Sequence, residues 1–300
     1  MRIGIGIDER GQTLGQVFGA ARVAASAGVQ TFWMGQHADW DPLLALALVS
    51  REVPEIGVGT AIALTYPQHP LTLAAQALSA QAASGNRFTL GVGLSHQPVI
   101  EGQYGYSYQR PSRHMREYLS VLGPLLRGES VDYRGETLRA NGAVGVAGAQ
   151  PPPLLVAALG PVMLRIAGEL ADGTITNWAG PKSLAEHVVP TIGAAAQAAG
   201  RPAPRVLAMV MVSVTSDPAG VRNWVASRFS LAGHLASYRA MLDREGAAGV
   251  ADMVVAGDAA VVEAEFKRMA DAGATEFVVV PVGSAEERAR TIEMAGTLTA

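Results

Sequence analysis

Short apolar runs alternate with helical segments along the whole chain, and this alternation restricts the fold more than any other feature. The runs are rich in β-branched residues, as in strands that are buried on both faces of a parallel sheet. Eight runs are predicted to be strands: residues 3–7, 31–34, 56–63, 88–92, 154–158, 173–177, 206–214 and 276–280. Strands that alternate with helices in this number predict a (β/α)8 TIM barrel, not an open doubly wound sheet.

We expect residues 1–300 to form one domain, because 300 residues with 49% hydrophobic content can bury a large core. Two segments exceed the usual length of a connection between elements. Residues 96–111 are predicted to be a long loop after the fourth strand. Residues from about 129 to 150, with a small β excursion at 131–138, are predicted to be an insertion in the barrel.

Composition argues against several classes of protein. The net charge is −3 and the basic residues are scattered, so we expect no binding to nucleic acid. The chain has no cysteine and its six histidines lack the spacing of metal ligands, so no metal site is predicted. No uncharged apolar run reaches about 18 residues and no signal peptide precedes the first strand, which indicates a cytoplasmic protein without membrane contact.

The residues that follow each strand are the candidates for function, because the carboxyl ends of the barrel strands meet on one face. These residues are Asp8, Gln36, His37, Ala61, Ile62, Ser95, His96, Leu159, Gly160, Pro161 and Trp178 to Lys182. Gly4 and Gly6 lack the third glycine of a dinucleotide fingerprint. Neither of the two lysines is placed on a strand, as a Schiff-base aldolase requires.

Six segments in order along the chain match the motifs of one enzyme family. They are Trp33-Met34-Gly35-Gln36-His37, Gly59-Thr60-Ala61-Ile62, residues 84–93, Ala157-Ala158-Leu159-Gly160-Pro161, residues 167–173 and residues 271–276. Together they resemble the bacterial-luciferase-like barrel family over nearly the whole chain. Within that family they are most similar to the branch that uses the deazaflavin coenzyme F420.

The resemblance implies a cofactor pocket for F420, with FMN as the alternative. The turn Leu159-Gly160-Pro161 would bring a helix N-terminus to the cofactor phosphate, where free N–H groups and the helix dipole favour an anion. The resemblance also implies a cis peptide bond at Ala61–Ile62, behind the deazaflavin ring.

His37 is the predicted catalytic residue, because imidazole can hold or supply a proton near neutral pH. Many members of the family carry an aspartate before this histidine, whereas this chain has Gln36. His96 stands where the sugar-phosphate dehydrogenases of the family carry a glutamate acid, and this substitution argues against their reaction. The predicted substrate pocket consists of Trp40, His96, Trp178 and Lys182.

Three functions follow from the resemblance. The first is an F420-dependent oxidoreductase that transfers a hydride between the deazaflavin and a small organic substrate. The second is an FMN-dependent monooxygenase with a partner reductase, and the third is a non-catalytic flavin- or deazaflavin-binding protein. Members of the family often pair through helices beside the barrel, so a homodimer is expected.

Overall fold

The computed structural model describes residues 1–37 and 39–298. Eight parallel strands close into a barrel, in which the last strand pairs with the first. They are β1 (Arg2–Ile7), β2 (Thr31–Met34), β3 (Gly57–Thr60) with its continuation β4 (Ala63–Leu64), β5 (Phe88–Gly93), β8 (Leu154–Ala157), β9 (Gly173–Asn177), β10 (Arg205–Val214) and β12 (Glu276–Pro281). The predicted (β/α)8 barrel is confirmed, with strands at the predicted places.

Helices surround these strands. They are α1 (Leu14–Ser26), α2 (Pro42–Glu52), α3 (Pro70–Ala83), α4 (Gln97–Gly102), α5 (Pro111–Leu126), α6 (Pro161–Leu170), α7 (Pro181–Ser183), α8 (Val189–Ala198), α9 (Pro218–Arg228), α10 (Ala236–Glu245), α11 (Ala259–Asp271) and α12 (Ala285–Thr297). Local sequence explains their starts: Asp41 accepts a hydrogen bond of 2.8 Å from the Leu44 N–H, and Pro42 occupies the first turn of α2. No helix in the described ranges is both long and apolar enough to cross a membrane.

Several elements lie outside the eightfold repeat, among them a hairpin, a short strand and a short helix. The hairpin of β6 (Val131–Arg134) and β7 (Arg139–Gly142) occupies the predicted insertion. The short strand β11 (Val255–Gly257) pairs with the end of β10 and was not predicted. Helix α4 lies within residues 96–111, so the prediction of a loop there was wrong over Gln97–Gly102. A side-chain bond from Gln97 Nε2 to Glu101 Oε2 (3.0 Å) links two successive turns of this helix.

The inside of the barrel is filled by side chains, with Trp33 as the largest of them. Trp33 packs with Leu155, Ile175, Leu207 and Val278 in one cluster. Glycine on the neighbouring strand makes room for the indole, since a Cβ at Gly59 would lie 2.3 Å from Trp33 Cζ3. The barrel is therefore a packed core, and any ligand must bind above it, at the strand ends.

Candidate active site

A carboxylate and a histidine meet at the carboxyl ends of β1 and β2. His37 Nδ1 lies 2.6 Å from Glu9 Oε1. Glu9 is fully buried, whereas the His37 side chain is 42% exposed. Because a carboxylate accepts hydrogen bonds, Nδ1 carries the proton in this contact and Nε2 is the ring nitrogen available to a ligand.

Glu9 is the functional candidate that the sequence analysis missed. With Gln36 before it, His37 was expected to lack a neighbouring carboxylate, but the barrel brings one from a different strand. The sequence did contain one indication: Glu9 follows the first strand directly, next to Asp8, which was considered as a candidate. Asp8 instead pairs with Arg10 at 2.6 Å. Burial raises the pKa of Asp8, but the hydrogen bonds and charge of Arg10 outweigh it and lower the pKa overall.

Gln36, which stands where many family members carry an aspartate, makes two hydrogen bonds to the chain after β3. Its N–H donates to the Ile62 carbonyl at 2.9 Å, and its Oε1 accepts from the Leu64 N–H at 2.8 Å. Both bonds hold the chain directly after the Ala61–Ile62 peptide bond, which is cis, as the resemblance implied. Gln36 therefore fixes the turn between β3 and β4 to the end of β2.

The same turn touches the histidine loop at Gly35. A Cβ on Gly35 would lie 3.1 Å from both the Ala61 carbonyl oxygen and His37 Cε1. Glycine thus permits a close approach of the cis peptide and the imidazole. The structure thus brings His37 close to the Ala61–Ile62 turn.

The turn after β8 has the form expected of an anion site. Gly160 is the N-cap of α6, a helix of ten residues, and no side chain caps it. A Cβ placed on Gly160 would meet no described atom within 4 Å, so the start of α6 has free space beside it. His187 Nε2 lies 2.8 Å from the Leu159 carbonyl oxygen and holds this turn, a contact that the sequence did not reveal. Leu159 itself is buried and Pro161 is exposed.

The predicted pocket residues occupy different surroundings. The half-buried Trp40 donates from Nε1 to the Gln12 carbonyl at 2.9 Å. The His96 ring meets the Tyr238 ring edge-on, with centroids 5.2 Å apart, and burial lowers the pKa of His96. Lys182 is exposed in the short helix α7.

Trp178 is only 5% exposed and packs edge-on against Phe229 and Tyr238. Its φ of 56° is in the left-handed region, and so is the φ of 59° at Ser95. Non-glycine residues in this region cost about 1–3 kcal/mol and concentrate at functional sites. Both lie at strand ends on the face that carries His37, and Tyr238 links Trp178 to His96.

The sequence pattern that defines the luciferase-like monooxygenases matches residues 1–297. This chain belongs to that family. The luciferase-like chain is 31% identical over 212 residues to a 5,10-methylenetetrahydromethanopterin reductase of Archaeoglobus fulgidus, a match covering 67% of the chain and 61% of the relative. It thus spans less than two thirds of that relative's length.

Solved structures agree with the luciferase-like barrel. An F420-dependent secondary alcohol dehydrogenase in complex with an F420–acetone adduct superposes with a TM-score of 0.82 at 16% identity, over 99% of this chain and 98% of that one. The oxygenating constituent of 3,6-diketocamphane monooxygenase of Pseudomonas putida, in complex with FMN, superposes with a TM-score of 0.77 at 16% identity. That match covers 99% of this chain and 97% of the other. At these identities the likeness establishes the fold.

Proposed function

We propose that this protein is an F420-dependent oxidoreductase that transfers a hydride between the deazaflavin and a small organic substrate. The observation that carries the proposal is the Glu9–His37 pair, a buried carboxylate bonded to a half-exposed imidazole beside the Ala61–Ile62 turn. A non-catalytic binding protein has no need of such a pair. The reductase of Archaeoglobus fulgidus and the F420-dependent dehydrogenase support the same reading.

The residues at the barrel top fit this cofactor. The uncapped N-terminus of α6, opened by Gly160 between Leu159 and Pro161, would hold the phosphate through N–H groups and the helix dipole. Ala61 and Ile62 would back the ring, since their turn is held by Gln36. When bound, the deazaflavin supplies or accepts the hydride.

In the proposed mechanism His37 moves a proton at the substrate atom next to the hydride position. Glu9 holds the ring through Nδ1, which leaves Nε2 to donate to or accept from the substrate. Glu9 is thus a positioning residue and His37 the catalytic one.

The substrate would enter between Trp40, His96, Trp178 and Lys182, which surround the strand ends. Aromatic walls and a few polar groups are typical of a pocket for a small organic molecule. Helix α2 exposes Leu44 (59%) and Leu48 (39%) one turn apart. We propose that this apolar stripe joins two copies as a homodimer.

A fluorescence titration of the purified protein with F420 and, separately, with FMN tests the cofactor. Saturable binding of F420 at micromolar concentrations or below supports the proposal. Preference for FMN supports the monooxygenase alternative, which the diketocamphane enzyme represents among the structural neighbours. Binding of neither contradicts both.

Two glycine variants, measured in the same titration, test where the cofactor phosphate binds. Gly160→Val should weaken binding about tenfold, because the side chain fills the space in front of the α6 N–H groups. Gly145→Val is the matched control, since a Cβ there also meets no described atom within 4 Å. Equal affinities of the two variants would place the phosphate elsewhere.

A further inference from the structure

A cleft of about 570 Å³ opens beside the carboxyl end of β4, on the barrel face that carries His37. Its walls come from the chain after β4, from the start of α5 and from the turn of the β6–β7 hairpin. The lining includes Tyr66, Gln68, His114, Tyr118 and Leu138. The proposed roles of His37 and of the α6 turn make no use of this cleft.

Two polar atoms in the wall of this cleft are buried without a hydrogen-bond partner in residues 1–37 and 39–298. They are Tyr66 Oη and Gln68 Oε1. An unpaired buried polar group costs about 1–3 kcal/mol, and native structures rarely retain one without a reason. Two such atoms in one cleft indicate that a bound group completes their hydrogen bonds.

Neighbouring rings hold the tyrosine in place. The Tyr66 ring stacks on His114 with centroids 4.0 Å apart and planes 5° apart, and it packs against Tyr108 at 5.4 Å. The Tyr118 hydroxyl donates to the Gln68 carbonyl at 2.9 Å. Because the side chain of Tyr66 and the backbone of Gln68 are already held in place, ligand binding requires a smaller loss of conformational entropy.

The charges in and around the cleft favour an uncharged ligand. Burial lowers the pKa of His114 to about 4 against the opposing charge of Glu117, so its imidazole is neutral at pH 7. Burial, with smaller contributions from Tyr108 and Glu101, raises the pKa of Tyr66 to about 12, so its hydroxyl keeps the proton.

Two arginines near the rim are already paired with a carboxylate. Arg110 and Arg113 contact Glu136 at 2.5 Å and 2.7 Å. An anionic ligand would have to compete with that carboxylate for both guanidinium groups. These two arginines therefore offer an anion little net attraction.

The cleft adjoins the proposed site of hydride transfer. Thr65 in its wall directly follows Leu64, whose N–H is held by Gln36. On the other side, the Tyr108 hydroxyl donates to the Ser95 carbonyl at 3.1 Å, at the end of β5. A substrate bound near His37 can thus extend over β4 into the cleft.

We propose that the cleft binds a planar, uncharged group with a carbonyl oxygen next to an N–H, such as a carboxamide or lactam, remote from the reacting atom of the substrate. The Tyr66 hydroxyl donates to the carbonyl and Gln68 Oε1 accepts from the N–H. The role as a substrate subsite rests on the proposed oxidoreductase function, whereas the binding itself does not.

Benzamide is the probe for this site, because its ring and carboxamide carry the required groups. Titration followed by ligand-observed NMR should show saturable binding to the cofactor-free protein. Tyr66→Phe keeps the ring stack but removes the hydroxyl, and should weaken benzamide binding about fivefold. The matched control Tyr104→Phe alters an exposed tyrosine outside the lining and should bind as the parent does. Benzoate should bind more weakly than benzamide.

Absence of benzamide binding, equal affinity in Tyr66→Phe or tighter binding of benzoate would overturn the proposal. Displacement of benzamide by F420 would also overturn it, because the cleft would then belong to the cofactor. The benzamide titration uses the cofactor-free protein and needs no turnover. Its result therefore does not depend on whether F420 binds in the cofactor titration. Urea unfolding of Tyr66→Phe, expected to show undiminished stability, verifies that any loss of binding is local.

Discussion

Two glutamates are fully buried at opposite ends of the barrel, and their surroundings differ in kind. At the amino ends of the strands, Glu276 Oε1 accepts from the Thr31 hydroxyl at 2.6 Å and from Trp33 Nε1 at 3.1 Å, and Oε2 accepts from Arg205 at 2.8 Å. At the carboxyl ends, Glu9 Oε1 meets His37. Glu9 Oε2 has no partner in the described part of the chain.

This difference indicates that Glu276 contributes to stability and Glu9 to function. Every oxygen of Glu276 is paired, so its buried charge is compensated and locks three strands together. Glu9 has one oxygen without a partner among residues 1–37 and 39–298, and its other oxygen contacts a side chain that faces solvent. This arrangement costs stability and has no packing benefit. In TIM barrels the amino face serves stability and the carboxyl face serves chemistry, and the two glutamates follow that division.

The largest expected effect is on stability at the amino face. Glu276→Ala should lower the free energy of unfolding by about 3 kcal/mol, because the partly buried Arg205 loses the carboxylate that pairs with it and the buried Thr31 hydroxyl loses its acceptor. Urea denaturation measures this. Glu263→Ala is the control, since it removes an exposed pair with Lys267 and should cost less than about 1 kcal/mol. Similar losses in the two variants would refute the structural role of Glu276.

At the carboxyl face the effect should be on turnover. His37→Ala should lower kcat about a hundredfold while the Kd for F420 stays nearly constant, because the imidazole moves a proton and does not hold the cofactor. Steady-state kinetics and the fluorescence titration measure the two quantities. His234→Ala, an exposed histidine in a short turn, should leave both unchanged. Full activity of His37→Ala would remove His37 from the mechanism.

Glu9→Gln tests directly whether Glu9 differs from Glu276 in its role. It should lower kcat about tenfold, since the amide orients the ring of His37 less well than the carboxylate does. The free energy of unfolding should change by less than about 1 kcal/mol, because Oε2 makes no hydrogen bond to any residue that the structure describes. A displaced pH profile of kcat would distinguish an effect on His37 from general damage. A loss of stability as large as that of Glu276→Ala would contradict the division between the faces.

The smallest effect concerns Glu117, a third buried carboxylate, which binds the insertion. Burial raises the pKa of Glu117, but bonds from the Thr137 hydroxyl and N–H and from the Glu136 N–H outweigh it and lower the pKa overall. The folded pKa is thus below the unfolded one, so this stabilisation is present above the unfolded value and is lost as the pH falls through the folded one.

Thermal unfolding between about pH 3 and pH 6 measures this contribution. The melting temperature of the parent should fall more steeply toward acid pH than that of Glu117→Gln. An equal dependence of melting temperature on pH in the two proteins would show that the Glu117 carboxylate does not stabilise the attachment of the β6–β7 hairpin.

The pattern of apolar runs by itself determined the barrel, because strand burial and helix periodicity are encoded within short segments. It also placed His37, Ala61, Ile62 and Gly160 on one face, since parallel strands end together. The helix α4 was missed because a single turn and a half of helix has little periodicity to detect.

The tertiary structure alone decided which carboxylate serves His37. Gln36 is its chain neighbour, but Glu9, 28 positions away, is the residue that contacts it. The pairing depends on the register of β1 against β2, in which Ile7 lies opposite Met34. Local propensity carries no information about that register, because it is set by the closure of the whole barrel.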